Sequence, residues 1–319
     1  MRFYSIILTD TSTGKIVKNW TSHPNGQLDP GALLIEFDAI VSPQNAPTEG
    51  QGLTVHGVSL ADIQQAKQFT GLQLSLYGGM KAGLPLANPN QSGLLMVGFI
   101  WQSWGTWEGT EMKIDFILQP DQFYIGNPGN LVLNWPAGTP LSAALTSMLT
   151  TAYPKIPIGM MSIANIVQSQ LEIKTASSLT DFGPWLYQVT QNLGHPVQIV
   201  IQAGKFIIFD DTYTPKPTQI NFSDLIGQPA WIEINIMQIK LILRGDILLG
   251  SQILMPKGLQ SAPGMVITQG QSTLSSLKYK SSFLGAFNTT QMRHVGNYKA
   301  HEGAAWATII NCTPTLTDG

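Results

Sequence analysis

Apolar and polar residues alternate with a period of two through the first third of the chain. Over residues 33–41, Leu33, Ile35, Phe37, Ala39 and Val41 fall on one side, while Glu36 and Asp38 fall on the other. Successive side chains of a strand point to opposite faces, so the pattern predicts a sheet with one packed and one wetted face. Met112, Ile114, Phe116 and Leu118 form a second such row, and Leu72, Leu74 and Leu76 a third. Glycine and proline cluster at residues 42–47 and 77–89 between these rows, and such short spacing predicts a barrel or sandwich. One short helix interrupts, with Ser59 as N-cap, Asp62 three residues on, and Leu60, Ile63 and Ala66 on one face.

The period then changes. Thr139 and Pro140 read as a cap and first turn, and Leu141, Ala144, Leu145, Met148, Leu149 and Ala152 follow at helical spacing. A second helix is predicted from Thr180 or Asp181, burying Phe182, Trp185, Leu186, Val189 and Leu193 and stopping at Gly194. A hairpin follows, in which Val197, Ile199 and Ile201 alternate with polar or exposed positions, Ala203 and Gly204 turn, and residues 206–209 return. Residues 212–217, with two prolines, read as a linker. Strands resume near Trp231, with Ile232, Ile234 and Ile236 as one row and Ile239, Leu241 and Leu243 as another. Residues 98–120 and 285–314 share a loose pattern, each a hairpin opened by glycine and closed by proline, which suggests an internal duplication. The expected fold is mainly β (α+β), with β domains at 1–122 and 218–319 flanking a small α/β insert at 123–217.

Composition narrows the function. Asp, Glu, Lys and Arg make up 11% of 319 residues, against about 25% in ordinary soluble domains. A net charge of −2 supplies no cationic field for a phosphate backbone, so sequence-specific nucleic-acid binding is not expected. The longest apolar stretches, residues 93–101 and 236–243, are far shorter than the roughly 18 residues of a spanning helix, and no membrane insertion is expected. The N-terminal apolar run is too short for a signal peptide, which predicts a cytoplasmic product that stays there or leaves by lysis.

Candidate chemistry is sparse. None of the five histidines is spaced for two ligands on one helix face, and His294 and His301, beside Glu302, read as solvent-touching residues of a turn. Asp210 and Asp211, the only adjacent carboxylate pair, read as a capped or solvated strand end. Neighbours on a strand point apart, so either would need a partner from elsewhere, such as Glu108, Glu111 or Asp115. Cys312 lies in an apolar strand and reads as a core residue rather than a nucleophile with His294. No catalytic, cofactor-binding or metal-binding residue is expected, and no cofactor. Trp101, Trp104 and Trp107 recur every three residues, so at least one must be exposed; it either stacks on sugar, anchors a protein interface or fills a barrel end.

Residues 55–66, 76–80, the Gly-Leu-Pro-Leu-Ala-Asn-Pro stretch at 83–89, and Gly93-Leu-Leu resemble baseplate hub proteins of contractile-tailed bacteriophages. So do Arg244-Gly-Asp, residues 252–256, residues 292–298 and Trp306. The resemblance implies two tail-tube-like domains flanking inserted ones, in a homotrimer whose pseudo-sixfold ring fits the sixfold tail tube on one side and a threefold spike on the other. It implies a structural protein of the virion baseplate, assembled in the host cytoplasm. Its partners would be a tail tube protein or tube initiator, a central spike protein and other baseplate proteins, with DNA only in transit. Met80, Leu84, Pro85 and Leu86 are too apolar for a solvated loop and, with Trp104 and Trp107, are expected at the oligomer interface. The rival readings are a carbohydrate-binding module using the tryptophans and a peptidoglycan hydrolase using an unrecognised carboxylate pair.

Overall fold

A computed structural model of the chain describes residues 1–45, 51–81, 89–119, 121–123, 128–260, 265–266 and 283–315. The first lobe holds β1 (Arg2–Thr9), β2 (Ile16–Thr21), β3 (Leu34–Val41), β4 (Gln51–His56), β5 (Gln73–Met80), β6 (Gly93–Glu108) and β7 (Glu111–Gln119). The alternating rows do what their period requires: Ile35, Phe37, Ala39, Leu74, Leu76, Ile114, Phe116 and Leu118 are buried in one core. The helix α1 (Leu60–Gln65) begins with a capping box, in which Ser59 Oγ accepts from the Asp62 amide at 3.2 Å. Its packing differs from the expectation, because Leu60 is exposed while the Asp62 carboxylate is buried against Lys18.

The middle of the chain folds as β8 (Leu131–Trp135), α2 (Leu141–Ala152), β9 (Ile158–Ser162), β10 (Glu172–Ala176), α3 (Leu179–Asn192), β11 (Gln198–Gln202) and β12 (Lys205–Phe209). Strands β8 and β10 form an antiparallel pair, and β11, β12 and β9 a three-stranded sheet. The cap of α2 is Pro140 and no side chain caps it, so Thr139 does not have the role its type suggests. Ser178, not Thr180 or Asp181, caps α3, and Leu193 is exposed beyond its end. The hairpin β11–β12 is buried on both faces: Ile199 and Ile208 enter the insert's core, while Val200 and Ile207 enter the core of the second lobe. Gln202, also buried, donates to the Ile247 carbonyl and accepts from the Leu249 amide, both at 2.8 Å.

The second lobe comprises β13 (Thr218–Gln219), β14 (Ala230–Glu233), β15 (Ile236–Ile242), β16 (Gln252–Leu254), α4 (Lys257–Gln260), β17 (Met265–Val266), β18 (Ala286–Asn297) and β19 (Trp306–Pro314). Ile239, Leu241 and Leu243 are buried as their alternation predicts. Ile232, Ile234 and Ile236 do not form a row: the chain turns between β14 and β15, leaving Ile234 exposed.

Both lobes share one fourteen-stranded sheet in the order β17-β14-β15-β19-β18-β3-β4-β7-β6-β5-β1-β2, with β13 and β16 beside β18. The lobes join where residues 292–297 of β18 pair antiparallel with residues 36–41 of β3. Trp306 and Leu243 reach into the first core, and Val41 into the second.

Candidate interaction surface

Two long hairpins dominate the sheet, and their registers repeat. Asp38, Gly52, Ile117 and Gln102 stand side by side on β3, β4, β7 and β6. Ala230, Gln238, Asn311 and Gln291 stand side by side on β14, β15, β19 and β18. In each long strand a bulge precedes this row, between Ile100 and Gln102 in β6 and between Thr289 and Gln291 in β18. A bulge bends and twists its strand, so one strand can pair with one neighbour before it and another after it. Before its bulge, β18 pairs with β16, and after it with β3. Before its bulge β6 pairs with β5. After it, among the described residues, no strand pairs with residues 103–108 on the side away from β7.

The inner face of this free-edged segment is filled by α1. Ser103 Oγ donates to the Ala66 carbonyl at 2.6 Å, and a side chain at Gly105 would meet Ile63, whose Cα lies 3.0 Å from the added Cβ. On the wetted face, Trp104 stands opposite Asp115 and is 42% exposed, while Trp107, which alternation places on the same face as Ser103 and Gly105, lies near the hairpin tip and is 63% exposed. Trp101 sits at the bulge and is also exposed, so the strand displays all three tryptophans where alternation required only one. Met80, the last residue of β5, packs partly buried against the first core; Leu84, Pro85 and Leu86 lie outside the described residues.

A shallow trough of about 640 Å³ runs along this face past Glu36, Asp38, Thr54, Trp104, Asp115 and Asn297. Its carboxylates are all engaged. Glu36 accepts from Asn297 at 2.6 Å and lies 3.5 Å from His56. Asp38 takes a two-pronged contact from Arg293, and Asp115 accepts from Thr54 at 2.7 Å with Lys113 3.3 Å away. Further along, Asn311 accepts from Gln238 at 3.1 Å and donates to Gln291 at 3.0 Å, an amide ladder across three strands. The face is polar, and the carboxylates of its first-lobe part each meet a cation or an amide.

Hydrogen bonds hold His294, Cys312, Asp210 and Asp211 in place. His294 is buried in mid-strand rather than solvent-touching, with Nδ1 2.9 Å from Thr308 Oγ1, and burial pushes the imidazole down to about 4. Burial pushes the Cys312 thiol far up, and its Sγ donates to the Met237 carbonyl. His294 and Cys312 are not cross-strand partners, since His294 faces Thr308 and Cys312 faces Thr289. Asp210 ends β12 by accepting from the Ala164 amide at 2.6 Å and the Thr212 amide at 2.9 Å. Its neighbour Asp211 meets His195 at 2.9 Å, a pairing that residue spacing gave no hint of, because it depends on where α3 returns the chain.

No protein-family model matches the sequence, and no curated protein matches it. Solved structures do. The tail protein from Neisseria meningitidis MC58 superposes with a TM-score of 0.52 over 97% of this chain and 96% of its own, at 10% identity. The 43 kDa tail protein of prophage MuSo2 from Shewanella oneidensis gives a TM-score of 0.51 over 98% of both chains, at 5% identity. Near end-to-end coverage without sequence likeness is a statement about architecture: this chain has the mainly β fold of phage tail proteins.

Proposed function

We propose that the chain is a structural tail protein, the baseplate hub subunit of a phage or a related injection device. Three copies close a ring between the sixfold tail tube and a threefold central spike. The observation that supports this most directly is the repeated row of strands, Asp38 to Gln102 and Ala230 to Gln291, within one sheet. Three chains then present six near-equivalent lobes toward a tube, while their identity repeats only three times toward a spike. A polar face carrying few cations suits a lumen through which DNA passes without being held, since phosphate binding needs a field of Lys and Arg. The role is load-bearing rather than catalytic, with tube, spike and other baseplate proteins as partners. The site of action is the virion baseplate, after assembly in the host cytoplasm.

Light scattering on the purified chain tests the reading. The expected mass is three times 34.7 kDa, and a monomer at micromolar concentration overturns it. The exposed tryptophans and the acids of the trough also suit a glycan. Titration with cell-wall oligosaccharides, lost in Trp107→Ala, is the result that would favour that reading instead.

A further inference from the structure

At the open end of the β11–β12 hairpin, three side chains able to bind a metal converge. His195, on the turn after α3, and Asp210 and Asp211, on the exit from β12, each offer one ligand atom, all within 4.8 Å of one another. The hairpin register brings them together: Gln198 pairs with Phe209, so the residues before one strand and after the other leave side by side. Both approaches are fixed by the backbone. Gly194 turns with φ of 95°, and the amides of Gly194 and His195 close α3 by donating to the carbonyls of Gln191 and Thr190 at 3.0 and 3.1 Å. Asp210, 5% exposed, is set by the Ala164 amide on Oδ2 and by the Thr212 amide and hydroxyl on Oδ1. Outer bonds of this kind orient a ligating carboxylate.

Two further observations point to an occupant. The acids are met by amides, a hydroxyl and the imidazole, and by no lysine or arginine among the described residues. The last turn of α3 carries no basic residue either, although a helix C-terminus attracts cations. The second observation is an orphaned acceptor. Asn45, on the chain leaving β3, lines the same cleft of about 340 Å³ as both acids, and its buried Oδ1 has no hydrogen-bond partner. A buried acceptor without a donor calls for an ion or a bound water.

We infer that His195, Asp210 and Asp211 bind one divalent cation, Zn²⁺ in preference to Ca²⁺ or Mg²⁺, with the Asn45 amide oxygen serving its coordination directly or through one water. A cation about 2.1 Å from each donor sets the donors roughly 3.0–3.4 Å apart. His195 and Asp211, at 2.9 Å, are already near that spacing, and both side chains are exposed enough to turn toward Asp210. Nδ1 presents its lone pair to the metal, and the hydrogen of the neutral ring resides on Nε2. The imidazole sets the preference, since Ca²⁺ and Mg²⁺ take oxygen donors. The cation joins the end of α3 to the segment that leads from β12 into the second lobe, whose Asn288 and Thr313 form the facing wall of the cleft. It therefore pins the insert where the three parts of the chain meet. All of these residues belong to one chain, so the inference does not rest on the hub reading.

Calorimetric titration of the full, untagged, metal-free chain with Zn²⁺ tests the site. One ion per chain is expected, bound about tenfold or more tighter than Ca²⁺ or Mg²⁺. A hundredfold excess over Kd should raise the thermal midpoint by about 4 °C. Amide hydrogen exchange should slow at residues 193–196 and 209–213, and not around His301 and Glu302, the rival surface pair. His195→Gln and Asp211→Asn alter exposed side chains and should each weaken binding about tenfold or more, while His301→Gln leaves it unchanged. Asn45→Ala should weaken it several-fold. Absence of binding, Ca²⁺ bound as tightly as Zn²⁺, affinity that survives both His195→Gln and Asp211→Asn, or protection centred on His301 would each overturn the assignment.

Discussion

Ala203 carries a side chain where the backbone suits glycine or asparagine. Together with Gly204 it forms the two-residue turn between β11 and β12, with φ of 51° and 68°, and a β-carbon in the left-handed region costs about 1 kcal/mol. Ala203→Asn is expected to stabilise the protein by about 0.5–1 kcal/mol, raising the thermal midpoint by about 1–2 °C. Two buried titrating groups act in opposite directions. His294 is neutral when folded, so its contribution falls by about 3 kcal/mol as pH drops from 6.5 through about 4. Asp121, buried beneath the insert, is pushed up to about 6 because desolvation outweighs the amide bonds from Phe123 and Leu179. Its contribution is greatest below pH 4 and falls by about 3 kcal/mol as pH rises through 6. The two slopes nearly cancel in the native protein. Asp121→Asn should make stability rise steeply with pH over that window and His294→Gln should make it fall, measured by urea unfolding; unchanged slopes in both variants would refute the assignment.

Among elements, the junction between β18 and β3 depends on a missing side chain. Gly296→Ala is expected to cost about 1–3 kcal/mol by forcing the Phe37 ring aside. Amide hydrogen exchange at residues 36–41 should quicken, and Phe37→Leu should recover much of the loss. The elements themselves were legible in the sequence wherever a periodic run was long: β3, β7, α2 and α3 follow from their apolar spacing, and α1 from its capping pair. Short runs were not. The segment Leu131-Val-Leu-Asn-Trp135 alternates over only five residues, and its antiparallel pairing with β10 leaves no local mark because the partner, Glu172–Ala176, is distant in sequence. The free edge of β6 was illegible for a related reason. Its tryptophans stand out in the sequence, but which backbone lacks a neighbour depends on where β5 stops pairing at the bulge of β6, and apolar spacing carries no record of that. The hydrogen bond between His195 and Asp211 is hidden in the same way.

At the scale of the molecule, the lobes are clamped together. Arg2, on the first strand, donates to the carbonyls of Asn297, Tyr298, Ala300 and Glu302, gripping the turn that joins β18 to β19. Arg244, 3% exposed, holds Asp246 through two bonds of 2.7 Å and reaches Asp224, which accepts from Gln91 of the first lobe at 3.1 Å. Trp306 Nε1 donates to the Gly79 carbonyl at 3.0 Å. These ties have a consequence for synthesis. While the chain is still emerging from the ribosome, β3 has no neighbour on its outer side and the first core lacks Trp306, so an interrupted translation product displays a raw strand edge and an unfilled cavity. Only a polypeptide extended through residue 306 can seal both, so fragments released early keep an exposed strand edge of the kind that pairs with other chains.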